Sequence, residues 1–309
     1  MIRVPANEPY WTGQRVCVIG AGYMGGGIGQ ILALAGARVQ VADVDEPTAR
    51  LRARAIVEQA RAFVDRGLFP AGADEIVAAG LTAADLPEAA AGATLVVEAV
   101  AEDVELKHAI LGRVSRLAPE DAIVATNTSS IPIGTLATAV HRPERFLGVH
   151  WFNPAQFVPG VELIVGAQTD PELAPRLETA LAAIGKWPGI VADTPGFVGN
   201  RLQFALFREA ALMLEEGVAT AEQIDAVVRG SFGYRLPFFG PFAIADMAGL
   251  DVYQGAFRTL EAAYGPLFAT PAALTAQIEA GRLGTKSGAG FFERSAEETE
   301  AMKIGRAHV

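Results

Sequence analysis

Apolar positions along this chain follow two spacings. Short β-branched runs, Arg15-Val-Cys-Val-Ile-Gly20 and Val39-Gln-Val-Ala-Asp43, read as strands. The small-residue stretch between them, ending near Gly36, reads as a helix, which makes a βαβ unit. Pro47 opens an Ala-, Arg- and Glu-rich helix to about Arg66, and Gly67–Gly80 reads as a connection bearing Gly and Pro. Thr94–Glu98, Ala122–Ala125 and Phe146–His150 are apolar runs of the kind buried in a parallel sheet. The spacing of Val104, His108, Leu111 and Ser115 predicts a helix over Val104–Leu117. Val161–Val165 and Trp187–Val191 add two strand candidates around a helix from Pro171 to Ile184.

The texture changes at Asp193-Thr-Pro-Gly-Phe197, and from there to about Tyr264 only helical patterns remain. Pro195 sits where a helix commonly begins, Asp193 or Thr194 could cap it, and Phe197–Gly217 has the length of five to six turns. The expected architecture is an α/β Rossmann-type doubly wound sheet followed by a smaller all-helical domain. Its boundaries are 13–194 and 195–294, with a tail over 295–309. Lys303–Val309, KIGRAHV, reads like a translated sequencing adapter and is set aside from the fold argument.

Composition narrows the class. The chain has 309 residues, 51% of them apolar and 19% charged, enough to build substantial cores without disulfide or metal staples. A net charge of −10 offers no electrostatic footprint for nucleic acid. One cysteine, Cys17, permits no internal disulfide and no second thiol for a metal, which fits a reducing compartment such as the cytoplasm. Val16–Ala37 is uncharged and long enough to span a bilayer. Its clustered glycines favour the strand-turn-helix reading instead, so no membrane partner is expected.

Gly20-Ala-Gly22-Tyr23-Met24-Gly25 follows the first strand and opens the first helix. In this fingerprint the first glycine makes the turn, the second admits a pyrophosphate, and the third lets helix and strand pack closely. Asp43 ends the second strand, where a carboxylate accepts from ribose hydroxyls and repels a 2′-phosphate, which selects NAD. Asp45 and Glu46 add negative charge at that corner. The basic residues of the next helix, Arg50, Arg52, Arg54, Arg61 and Arg66, read first as a solvated face and second as a phosphate site.

Four histidines make the search for a base short. His308 lies in the tail, His141 in a polar loop, and His108 on the patterned helix, where a backbone partner is the ordinary fate. His150 closes an apolar strand at the carboxyl end of the sheet, the ligand-binding edge of open α/β folds. Position alone leaves catalytic and structural roles equally open for it.

Taken in order, GAGYMG, VEAVAED at 97–103, NTSS at 127–130, GVHWFNP at 148–154, VEL at 161–163, PGFVGNR at 195–201, GPFAIADMAGLD at 240–251 and GTKSGAGFF at 284–292 resemble the 3-hydroxyacyl-CoA dehydrogenase family over residues 14 to 293. The resemblance implies an NAD-binding Rossmann domain, a helical domain that forms a homodimer, and a small-molecule substrate of fatty-acid metabolism. It implies His150 as general base, Glu162 as the carboxylate orienting it, and Ser129 and Asn200 as groups that hold substrate oxygen. Glu102, Lys107 and Asn127 fall on positions around the nicotinamide, with Tyr23 and Met24 between the fingerprint glycines. GTKSGAGFF reads as a structural closure in which Phe291 and Phe292 pack.

The implied reaction is NAD-dependent oxidation of the secondary alcohol of a 3-hydroxyacyl-CoA, such as 3-hydroxybutyryl-CoA, to the 3-ketoacyl-CoA. Two alternatives stand beside it. Acyl-CoA members more often carry Phe where this chain has Trp151, and they direct lysines toward CoA from the helix that here, over 47–66, contains none. Branches with a similar stretch act on free hydroxy acids, carnitine or pyridine carboxylates. The other alternative is a catalytically inert structural relative.

Overall fold

The computed structural model describes residues 9–295, 297, 298 and 300. The segment KIGRAHV lies outside the described residues. The chain divides into two compact units, the first ending at Leu206 and the second beginning at Phe207.

The first unit contains β1 (Arg15–Ile19), α1 (Tyr23–Leu34), β2 (Arg38–Ala42), α2 (Glu46–Asp65), α3 (Ala73–Gly80), β3 (Leu81–Ala83), α4 (Leu86–Ala90), β4 (Leu95–Glu98), α5 (Val104–Leu117), β5 (Ile123–Thr126), α6 (Ile133–Ala137), β6 (Phe146–Trp151), β7 (Gly160–Val165), α7 (Leu173–Ala183) and β8 (Trp187–Ala192). The strands form one eight-stranded sheet in the order β3-β2-β1-β4-β5-β6-β7-β8. Every pairing is parallel except β6 with β7. Strand alternation explains the two layers. Val16, Val18, Val39, Val41 and Val97 point into the core beneath α1, α2, α3 and α7. Cys17, Ile19, Val96 and Val124 point into the core shared with α4, α5 and α6. Burial pushes the Cys17 thiol up to about 12, which leaves it inert.

Several expectations need correction. The connection over 67–80 contains α3, and β3 follows it as an edge strand too short for its three residues to announce a period. α4 was likewise not expected, because five residues carry no helical repeat. On α5 the buried stripe is Lys107, Leu111, Val114 and Ser115, whereas Val104 lies exposed at its first turn.

α8 (Gly199–Glu215) begins two residues later than expected, and the division between units falls inside it, beyond the change in sequence texture. Asp193 does not cap it. The Asp193 carboxylate instead accepts from the N–H groups of Ile133 and Gly134 at the start of α6, both at 2.8 Å.

The second unit is helical, with α9 (Ala221–Gly230), α10 (Phe232–Arg235), α11 (Pro241–Ala248), α12 (Leu250–Tyr264) and α13 (Ala272–Glu279). Thr220 and Gln223 form a capping box at α9. Its own core is small, built on Ala245, Leu250 and Leu274. Asp246 is buried and accepts from the N–H groups of Phe291 and Phe292, which makes the GTKSGAGFF segment the closure expected of it. Phe291 packs inward as anticipated, and Phe292 stays exposed. Among the described residues no helix is long and apolar enough to cross a membrane.

Candidate active site

Parallel strands deliver their carboxyl ends to one edge, and because β7 runs antiparallel, its beginning lies at that same edge. The chain reverses its direction of winding between β1 and β4, the place where open α/β sheets leave a crevice.

At this crevice each fingerprint glycine has a separate reason. Gly20 has φ +85° and a Cβ there would lie 2.7 Å from the Ala99 carbonyl oxygen. A Cβ on Gly25 would lie 2.0 Å from the Gly20 carbonyl oxygen, so close packing of helix on strand forbids one. A Cβ on Gly22 would meet nothing within 4 Å. That open space lies before the N-terminus of α1, which has no side-chain cap and so presents its first N–H groups to an anion.

A cleft of about 550 Å³ adjoins this loop, with Gly20, Gly22 and Asp43 on its walls and apolar sides from Leu86, Leu106 and Ile110. The Asp43 carboxylate accepts from the N–H groups of Ala21 (3.0 Å) and Val44 (2.9 Å), which fixes it beside the glycine turn with further lone pairs for ribose hydroxyls. These residues fit a dinucleotide. Tyr23 is exposed at the loop, while Met24 packs partly against the core. Asp45 caps α2 through the Thr48 N–H, which holds its carboxyl below the usual range, and Glu46 pairs with Arg50.

His150 and Glu162 are partners in the β6–β7 register, directly across from one another. Their side chains therefore share a face and meet, with Nδ1 2.7 Å from Glu162 Oε2. Both are buried. With the carboxylate accepting from Nδ1–H, the imidazole is fixed in the tautomer whose Nε2 lone pair takes a proton. Glu162 Oε1 accepts from the N–H groups of Val198 (2.8 Å) and Gly199 (2.9 Å) at the start of α8. Burial alone would raise the Glu162 carboxyl, but the bonds from His150, Gly199 and Val198 outweigh it and hold it below its ordinary value. Phe152 and Phe197 flank the imidazole with ring centroids at 4.7 and 5.8 Å. Gly199 leaves room for Phe152, since a Cβ there would lie 2.4 Å from its ring.

Three of the remaining candidates, Asn200, Ser129 and Glu102, are joined to one another by hydrogen bonds. The Asn200 amide Nδ2 donates to the Ser129 carbonyl at 2.9 Å. Ser129 donates its N–H to Glu102 Oε1 at 2.9 Å, and its hydroxyl lies 3.3 Å from the same oxygen. Thr128 Oγ1 (2.7 Å) and the Ser130 N–H (2.9 Å) bind that oxygen too. Burial works against ionisation of Glu102, yet these donors and the Lys107 ammonium bring its pKa down to about 2. Asn127 accepts the Trp151 N–H on its Oδ1 at 2.8 Å and so pins the end of β5 to the end of β6.

Lys107 stands apart from the other candidates. It is 1% exposed, and its ammonium is 2.7 Å from Glu98 and 3.4 Å from Glu102. It braces the loop from inside rather than presenting a cation at the surface. Glu98 was missed in the sequence reading. It is wholly buried and accepts from Lys107, from Thr126 Oγ1 (2.6 Å) and from the Val100 N–H (2.7 Å). The available signal was an acidic residue closing an apolar strand. Trp151 lies on the opposite face of β6 from His150 and is buried in the other core, so it does not line the site. His108 bonds the Thr135 carbonyl at 3.0 Å and His141 is exposed, as expected.

Fold and site together define a nicotinamide-dependent oxidoreductase of the Rossmann type. The chain belongs to the 3-hydroxyacyl-CoA dehydrogenase family: the family's NAD binding domain matches residues 15–194 and its C-terminal domain residues 196–294. It is 35% identical over 298 residues to 5-formyl-3-hydroxy-2-methylpyridine 4-carboxylate 5-dehydrogenase of Mesorhizobium japonicum, covering 95% of each chain. It is 36% identical over 282 residues to 3-hydroxybutyryl-CoA dehydrogenase of Mycobacterium tuberculosis, covering 90% of this chain and 98% of that one. Among solved structures, a 3-hydroxyacyl-CoA dehydrogenase from Archaeoglobus fulgidus aligns with TM-score 0.79 at 32% identity, covering 94% of this chain and 95% of that one. The crystal structure of an NAD+-dependent pyridine carboxylic acid 5-dehydrogenase aligns with TM-score 0.73 at 36% identity, covering 96% of both. NAD is the cofactor.

Proposed function

We propose that the protein oxidises the secondary alcohol of a 3-hydroxyacyl-CoA, such as 3-hydroxybutyryl-CoA, to the 3-ketoacyl-CoA, with His150 as general base. The observation that carries this reading is the buried 2.7 Å contact of His150 Nδ1 with Glu162. Nε2 takes the hydroxyl proton while Glu162 stabilises the imidazolium that results. The Ser129 hydroxyl and the second N–H of the Asn200 amide hold the substrate oxygen, and Glu102, braced by Lys107, fixes the loop that carries Ser129. NAD supplies the hydride acceptor when bound, so that proton and hydride leave one alcohol and a ketone remains. The single buried cysteine fits a cytoplasmic setting.

A second reading, a free pyridine carboxylate or hydroxy acid as substrate, is favoured by α2. This helix has no lysine, Arg50 is paired with Glu46, Arg61 lies by Glu58 and Asp74, and Arg52 lines the cofactor cleft. Two of its four arginines are thus paired with carboxylates, which leaves fewer cations free for a CoA phosphate. NADH absorbance with acetoacetyl-CoA and with a panel of free keto and hydroxy acids decides between them. Turnover of the CoA ester alone supports the first reading, turnover of free acids alone supports the second, and no turnover at all supports an inert relative.

The assembly we propose is a homodimer through the helical unit. That unit leaves Phe207, Val227, Phe238, Tyr264 and Leu267 more than half exposed around a small core. Light scattering of the eluted protein should give twice the chain mass of 32.4 kDa, and a monomer mass would refute it.

A further inference from the structure

The face of the sheet opposite His150 carries a polar arrangement that the reaction does not itself use. Lys186, which precedes β8, is 5% exposed, and no carboxylate partners it among the described residues. Its Nζ donates to the carbonyls of Ala155 (2.7 Å) and Val158 (2.9 Å) and lies 5.3 Å from the Trp151 ring centroid. Burying a cation without a counter-charge is costly. Accordingly, burial pushes its pKa down to about 8.

Both carbonyls belong to the segment that runs from β6 to β7. That segment begins at Phe152, whose ring lies on His150. It is held a second time through Gln156, whose amide Nε2 donates to Gln30 Oε1 on α1 at 2.9 Å, while Gln30 donates to the Ile56 carbonyl on α2 at 2.7 Å. A cavity of about 160 Å³ beside Lys186 and Gln156 leaves the segment room to relax when an anchor is lost.

We propose that Lys186 is a positioning residue for the reaction: by gripping the carbonyls of Ala155 and Val158 from beneath the sheet, it holds Phe152 against the His150 ring. This inference rests on the reading of His150 as base. The groups facing Lys186 are Ile31 from α1, Gln156, Phe157 and Pro159 from the segment, Ile184 and Gly185 after α7, and Trp151 from β6. None of them titrates. Two of the three tryptophans, Trp151 and Trp187, stand beside Lys186, so an alkaline emission step that Lys186→Met removes belongs to Lys186.

The test compares the full-length enzyme with Lys186→Met and Lys186→Arg. Lys186→Met should lower kcat by about 10- to 100-fold, the usual cost of misplacing a reacting group, with NADH affinity unchanged. Lys186→Arg, which keeps charge and donors, should recover part of the loss. In the parent enzyme, kcat and tryptophan emission should both step near pH 8, because a neutral amine makes weaker hydrogen bonds than an ammonium; Lys186→Met should abolish both steps. A parental kcat in Lys186→Met overturns the proposal, and so does a folded Lys186→Arg that recovers none of the loss. Retained turnover in His150→Gln would instead overturn the base assignment, and the emission step would still report on Lys186.

Discussion

The two ends of the site edge are built by opposite means. At β1 and β2 the cofactor cradle comes from neighbours in sequence: one turn, one helix start and a carboxylate 22 residues away from the Ala21 N–H it binds. At β6 and β7 the pair proposed to react comes from register. His150 and Glu162 face each other because two antiparallel strands align those positions, and a one-residue slip of either strand would turn its member of the pair to the other face. The cradle tolerates change by losing affinity, whereas the register-built pair has no partial form.

Variants can break this contrast, beginning with the largest effect. His150→Gln should lower kcat by up to about 10⁴-fold with NADH affinity nearly unchanged, measured by steady-state kinetics and NADH fluorescence. Glu162→Gln keeps shape but removes the charge that fixes the tautomer, and a fall of about 10²-fold or more in kcat is expected. An equal loss of NADH affinity in either variant would erase the distinction between the two ends.

At the cradle the order of effects reverses. Gly25→Ala drives a methyl group into the Gly20 carbonyl, so thermal unfolding should show a loss of about 1–3 kcal/mol and NADH should bind more weakly. Asp43→Asn should weaken NADH by about 10-fold, the worth of one charge-assisted hydrogen bond, with kcat at saturation unchanged.

The smallest effect belongs to Glu102. Its folded pKa of about 2 lies below the value near 4.3 of an unfolded chain. The stability it contributes is thus present above about pH 4.3 and lost as pH falls toward 2. Melting temperatures across that window should decline less steeply in Glu102→Gln, and parallel curves would show that the carboxylate contributes no pH-dependent stability.

Legibility followed locality. The glycine fingerprint, the strand rhythm and the helical texture after Asp193 were readable because each is a repeat or motif within a few turns of chain. α4 and β3 were not, since each has too few residues to show a period; α3 offers only the single i, i+4 pair Ala73 and Val77, and on α5 burial follows the sheet beneath it rather than the spacing from Val104. The α8 start expected of Asp193 is taken by Glu162, which also keeps the contact with His150 expected of it. The residue beside the helix caps α6, and the strand carboxylate 36 residues before Val198 takes the start of α8.

The amino-acid order by itself determined where the longer strands and helices form, that a dinucleotide loop follows the first strand, and which histidine ends an apolar run, because these depend on side-chain size, φ preference and spacing along one segment. Only the tertiary structure decided that His150 meets Glu162, that Trp151 turns away from the site, and that Lys107 and Lys186 act from inside. Each of those facts is a contact between distant segments, fixed by strand register and, for the two lysines, by the need to partner a buried cation, and no local spacing encodes it.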